Sequence, residues 1–145
     1  MVATLCYGGE AEDVHSIIKD LAPLDLAALD QRVRNVSEYR YGIDPQWQKL
    51  RPSDVSRLAT SKFATSLVGL ASFHKSGYVR ETATQQLALQ RTGEELPFLL
   101  IRLNDWVSEV REVATKAVRA RLEPSMRSIF SRITNLCFDS AVAAE

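Results

Sequence analysis

The chain matches itself at a spacing of 31 residues. Val79-Arg80 with Ala83 and Leu87 returns as Val110-Arg111 with Ala114 and Val118. Self-similarity at a fixed period marks a repeat architecture, in which each supersecondary unit buries its apolar face only by packing on the next one. The matched positions fall at i, i+1, i+4 and i+8, which is helical spacing, so the expected unit is a pair of stacked helices. This constrains the fold far more than the function, because such arrays host many unrelated partners.

At 145 residues the chain is long enough to bury a core of its own. Eighteen basic and eighteen acidic residues give a formal net charge of zero, so no whole-molecule field draws in nucleic acid or an anionic membrane. Any such binding would need a local patch. Cys6 and Cys137 are far apart and lack metal-ligand spacing, which is the pattern of two inert thiols in a reducing compartment. No basic and apolar leader opens the sequence, since Glu10, Glu12 and Asp13 come early. The longest apolar run, Leu96 to Leu103, is interrupted by Pro97 and Arg102 and is far too short for a membrane span. The expectation is a soluble, cytoplasmic protein with no membrane segment.

Along the chain, Val14, Ile17, Ile18 and Leu21 predict an amphipathic helix that ends near Pro23. Asp25 is placed to cap a second helix, whose buried positions are Leu26, Leu29, Val33 and Val36 and whose solvated face carries Asp30, Arg32, Arg34 and Glu38. Asp44-Pro45 predicts an N-cap followed by a short helix, with Trp47 plugging the connection into the core. Ser53 opens the next periodic segment, with a break near Thr60-Ser61. From there the reading is helix 61–73, helix 78–90, a Thr92 to Glu95 capping box, helix 93–103, a turn at Asn104-Asp105 and helix 106–121. Glu123-Pro124 starts a further helix through Met126, Ile129, Phe130, Ile133 and Cys137. No alternating β-branched run argues for a sheet. The fold class is therefore all-α, a short α-solenoid of antiparallel helix pairs. Residues 10–60 form additional N-terminal helices, 61–122 two repeats, and 124–145 part of another.

Pro97 inside the first helix of a pair, Asp105 eight residues later in the turn, and Val110-Arg111 shortly after resemble the HEAT repeat family, over about residues 61 to 122. The resemblance implies that Val110 enters the core, with Val79, Arg80, Ala83 and Ala114 as the other structural positions of the repeat. It also implies a ladder between Asp105 and Arg111. The earlier copy departs from the pattern, with Ser66 in place of the proline and His74 in place of the aspartate. The short period is similar to compact bacterial HEAT-like units, including those of phycobilin lyases.

No convergent catalytic set is present. His15 and His74 lack partners at metal-ligand spacing, no Gly-x-Ser-x-Gly elbow occurs, and no glycine loop precedes a helix as a phosphate cradle would. Neither metal, cofactor nor catalytic residue is expected. Two features remain as a candidate binding surface. One is Asp105-Trp106, where a tryptophan on a turn could be core packing or could stack on a ligand. The other is the basic run Arg111, Lys116, Arg119, Arg121, Arg127 and Arg132, six cations against Glu112 and Glu123, which could be a solvated face or meet phosphates. The resemblance implies a non-catalytic protein-interaction or scaffold module that binds a protein partner. The rival reading is a nucleic-acid-binding protein or enzyme, similar to HEAT-like DNA glycosylases or phycobilin lyases, working through Asp105, Trp106 and the basic edge. The broad apolar stripe of 124–137 adds an expectation of self-association through the C-terminal helix or of further repeats.

Overall fold

The computed structural model describes residues 9–35 and 45–122. Expectations that fall on Cys6, Val36, Glu38, Asp44, Arg127, Arg132, Cys137 and the whole of 123–145 lie outside the described residues. Helices α1 (Gly9–Lys19), α2 (Pro23–Asn35), α3 (Pro45–Gln48), α4 (Pro52–Leu58), α5 (Ala64–Ala71), α6 (Gly77–Leu89), α7 (Leu96–Arg102) and α8 (Ser108–Arg121) follow one another, with no strand among the described residues. None of these helices is long and apolar enough to cross a membrane.

Helix α1 buries Ala11 and Ile18 with Val14 half-buried, whereas Ile17 is 64 % exposed. The buried stripe is thus i, i+3, i+7, one position away from the larger apolar residue, because α1 packs narrowly against α5. Pro23 starts α2, so Asp25 sits in its first turn near the positive end of the helix instead of capping it. The break near Thr60 is real: α4 ends at Leu58, a turn tied by Ser61 and Phe63 follows, and α5 starts at Ala64. Pro52 takes the first turn of α4, where its missing donor costs nothing, and the Arg51 amide donates to Asp54 Oδ2 at 3.0 Å.

The core runs through Val55, Leu58, Leu67, Val68, Phe73, Val79, Leu87, Phe98 and Leu99. Each such side chain taken from water contributes roughly 1.5 to 3 kcal/mol. Helix α6 is the hub, packing on α4, α5 and α8, and α7 packs on α8 and α2. Gly69 is where α7 comes closest: a Cβ there would stand 2.5 Å from the Phe98 ring, so only glycine admits that aromatic. Helix α7 starts at Leu96, later than the capping-box reading had it. Glu95 turns its carboxylate back on the turn, accepting from the Thr92 hydroxyl at 3.2 Å and the Gly93 amide at 2.8 Å, while Gly93 takes φ +93°. That φ lies where side-chain-bearing residues are strained, so the turn uses its glycine.

Candidate functional site

The 31-residue match has a physical counterpart at the turns that precede α6 and α8. Arg80, in the first turn of α6, donates Nη1 to the His74 carbonyl at 3.0 Å, and Arg111, in the first turn of α8, donates Nη1 to the Asp105 carbonyl at 2.7 Å. The Val107 amide donates to Asp105 Oδ1 at 3.0 Å, and the Ser76 amide donates to His74 Nδ1 at 3.0 Å. His74 therefore does the aspartate's local task, accepting from the amide two residues on, with a ring nitrogen in place of a carboxylate oxygen. Accepting at Nδ1 leaves the proton on Nε2, which donates to the Trp47 carbonyl at 2.9 Å. Burial holds the His74 pKa below the ordinary histidine value, with Lys75 and Arg80 acting in the same direction against the Trp47 carbonyl. Trp47 is half-buried over it, the two rings meeting edge-on at 5.3 Å, so the plug expected at Trp47 sits at the margin of the core.

Asp105 is the centre of a buried charge cluster. Arg80 grips it with a fork, Nε to Oδ2 and Nη2 to Oδ1, both at 2.9 Å. Arg102 Nη1 reaches Oδ2 at 3.1 Å and Arg34 Nη2 reaches it at 3.0 Å. Asp30 joins from α2, bonded to Arg34 Nε at 2.9 Å and paired with Arg102 Nη2 in an ion contact poorly aligned for a hydrogen bond. Arg80, Arg102 and Asp105 are all within 2 % of full burial. Three cations thus face two carboxylates, and the surplus is met by main-chain oxygens: Arg80 also bonds the Lys75 carbonyl and Arg102 the Ser72 carbonyl. Burial alone would raise the Asp105 pKa, but the Arg80 and Val107 hydrogen bonds, with the Arg80 and Arg34 charges, carry it below the usual carboxylate range.

Two sequence expectations change here. The side-chain partner of Asp105 is Arg80, 25 residues earlier in the chain, and Arg111 touches only its main chain. Asp30 and Arg34 are not on a solvated face. They lie against α7, where Arg102 needs counter-charge. Arg102 itself was the overlooked member, although a lone arginine inside the apolar run Leu96 to Leu103 is a readable sign of a buried ion partner.

The candidate binding residues separate in the same way. Trp106 is 75 % exposed, which rules out the core placement, and its ring covers Arg80 at 5.5 Å from the guanidinium carbon. The basic edge is smaller than the sequence implies. Arg121 turns inward, pairing with Glu95 at 2.9 Å and donating to the carbonyls of Ala117, Leu87, Ala88 and Gln90, so it closes the C-terminal end of α6 instead of facing solvent. Glu95 answers with a pKa below its usual value: burial opposes the shift, and hydrogen bonds from its own amide, Arg121, Gly93 and Thr92 outweigh it. Lys116 is paired in solvent with Glu112 at 3.5 Å, and Arg119 is exposed. These lie beside Leu103, Ser108, Arg111 and Thr115 along an open groove of about 470 Å³.

A second concavity, of about 200 Å³, lies between α1, α2, α5 and the start of α7. His15 borders it, its Nδ1 2.8 Å from Ser66 Oγ and its ring stacked on Phe63 at 4.9 Å. This tie fastens α1 to α5. No group of three or more His, Cys, Asp or Glu side chains among the described residues could hold a metal ion. No protein-family model, curated protein or solved structure matches the chain.

Proposed function

We propose that this chain is a protein-interaction module built from HEAT-like antiparallel helix pairs, and that it meets its partner along the turn that presents Trp106. One observation carries the reading: a tryptophan 75 % exposed is held on a turn whose aspartate carboxylate accepts five hydrogen bonds. An exposed indole on a rigid support offers large contact area at little entropic cost, which is the profile of an interface anchor. Tyr78, 78 % exposed at the start of α6, Leu100 on α7 and Leu103 just after it add further apolar surface. The same turn serves an enzyme poorly, since Asp105 has its lone pairs occupied and is held ionised among arginines. The loss of Arg121 from the basic edge weakens a phosphate-binding reading in the same way.

The test compares wild type with Trp106→Ala and with the double variant K116E/R119E. For each, saturable binding of protein from a native extract and retention on heparin and duplex DNA are measured. The module reading expects one saturable protein partner lost in Trp106→Ala and kept in the double variant. Salt-sensitive DNA retention lost in K116E/R119E, with no Trp106-dependent partner, would replace it with the nucleic-acid reading.

A further inference from the structure

Asp105 joins two surfaces. Its Oδ2 takes Arg80 Nε at 2.9 Å, and the exposed Trp106 ring covers that guanidinium. The same oxygen takes Arg34 Nη2 at 3.0 Å, and Arg34 lines a groove of about 560 Å³ between α2 and the end of α7. The groove therefore adjoins the Trp106 turn across a single carboxylate oxygen. Its walls are of two kinds. Leu100, 51 % exposed, and Ile101 are apolar, whereas Gln31 and Asn104, both exposed, carry amides that donate and accept. Arg34 supplies the charge, with Nε on Asp30, Nη2 on Asp105, and no hydrogen bond from Nη1 to any described residue. Around it Arg34, Arg80 and Arg102 face Asp30 and Asp105, three cations against two carboxylates. Main-chain oxygens satisfy the geometry of Arg80 and Arg102 but leave that surplus charge in place. Solvent reaches it at Arg34, whose side chain is 20 % exposed against 0 % for the other two arginines. A charge held where water is partly excluded attracts an anion more strongly than the same charge in bulk water.

We propose that this groove receives an acidic, apolar segment of the partner protein, its carboxylate pairing with Arg34 and a neighbouring apolar side chain lying on Leu100 and Ile101. The inference rests on the interaction reading above. Charge complementarity chooses the occupant, because one bound carboxylate brings the cluster to three against three. Among the described residues that line the groove Arg34 is the one cation, which suits a single carboxylate, whereas a nucleic-acid backbone needs several cations in a row. The Gln31 and Asn104 amides can meet the main chain of an extended segment, and burial of Leu100 and Ile101 adds the apolar gain. Asp30 also borders the groove and opposes an incoming acid, but Arg34 Nε and Arg102 already offset its charge.

Nuclear magnetic resonance titration of the full chain with the blocked dipeptide acetyl-Leu-Asp-amide tests this. Saturable shifts are expected at the Arg34 Nε–H, the Asn104 side-chain amide and the Leu100 methyls, weakening as salt rises. Acetyl-Leu-Asn-amide keeps the shape without the charge and is expected to bind about tenfold more weakly. Inorganic phosphate is expected to shift Arg34 without moving Leu100. Leu100→Glu and Gln31→Glu each set a like charge on the groove at an exposed position, and each is expected to abolish the dipeptide shifts while melting like wild type. Absence of a saturable shift at Arg34 with the acidic dipeptide would overturn the proposal. So would equal binding of the two dipeptides, or wild-type binding by both glutamate variants. Phosphate that binds as tightly as the acidic dipeptide would assign Arg34 to free anions and equally refute the segment. The dipeptide reads the groove and the Trp106→Ala comparison reads the turn, so failure of one is distinguishable from failure of the other.

Discussion

Replacing Arg80 by alanine removes the one side chain that forks onto Asp105. The guanidinium is fully buried, supplies two hydrogen bonds at 2.9 Å to the carboxylate and two more to the carbonyls of His74 and Lys75. Breaking a buried pair by deleting one partner costs about 3 to 5 kcal/mol, because the other charge stays buried. Here Asp105 keeps Arg102 and Arg34, which limits its own penalty, but two main-chain oxygens are orphaned and a large cavity opens beneath Trp106. The expected cost stays within that range. Arg34→Ala deletes a single contact to the same carboxylate from a side chain 20 % exposed, and its expected cost is about 1 to 2 kcal/mol. Arg80→Lys restores charge without the fork and should fall between the two. Urea unfolding followed by circular dichroism, with unchanged slopes, gives the comparison. Equal losses at Arg80 and Arg34, or a loss below about 1 kcal/mol at Arg80, would refute the fork as the joint between α6 and the turn before α8.

Three further outcomes follow from the same geometry. His74 is neutral in the fold and its pKa is lowered, so its contribution is complete above the unfolded value of 6.5 and declines as pH falls below it toward the native value. His74→Asn keeps an acceptor for the Ser76 amide and should flatten that part of a melting-temperature profile, whereas an unchanged slope would mean another group titrates. Gly69→Ala should gain up to about 1 kcal/mol of helix propensity and lose about 1 to 3 by overpacking Phe98 at 2.5 Å, a net loss readable by thermal melting. Trp106→Ala should cost only about 1 kcal/mol, since it removes a lid over Arg80 and not a core residue; a loss of 3 or more would return Trp106 to the core.

The helices were legible because their signals are local. Apolar spacing located α6 and α8 to within a residue or two, and Pro97 marked the first turn of α7. The charge cluster was legible only in part. Asp105 and Arg80 stand out through the repeat, but their pairing across 25 residues depends on which unit an arginine reaches toward, and sequence spacing does not show that. Asp30 and Arg34 look like an ordinary exposed i, i+4 pair until α7 brings Arg102 against them. Arg121 misled for the same reason: at the end of a basic helix it reads as surface, yet the carbonyls ending α6 and the Glu95 carboxylate draw it inward. His74 departs from the aspartate pattern in sequence and meets its hydrogen-bonding requirement in space, because a ring nitrogen and a carboxylate oxygen can accept the same amide.

The most direct measurement of the proposed function is site-specific photocross-linking, with a photoreactive side chain at position 106 and, as control, at exposed Lys49 on the chain segment before α4. The interaction-module account predicts one discrete crosslinked protein species from position 106, saturable and competed by unlabelled wild type but not by Trp106→Ala. Adducts of equal yield from both positions, or none from position 106 in a variant that melts like wild type, would contradict it.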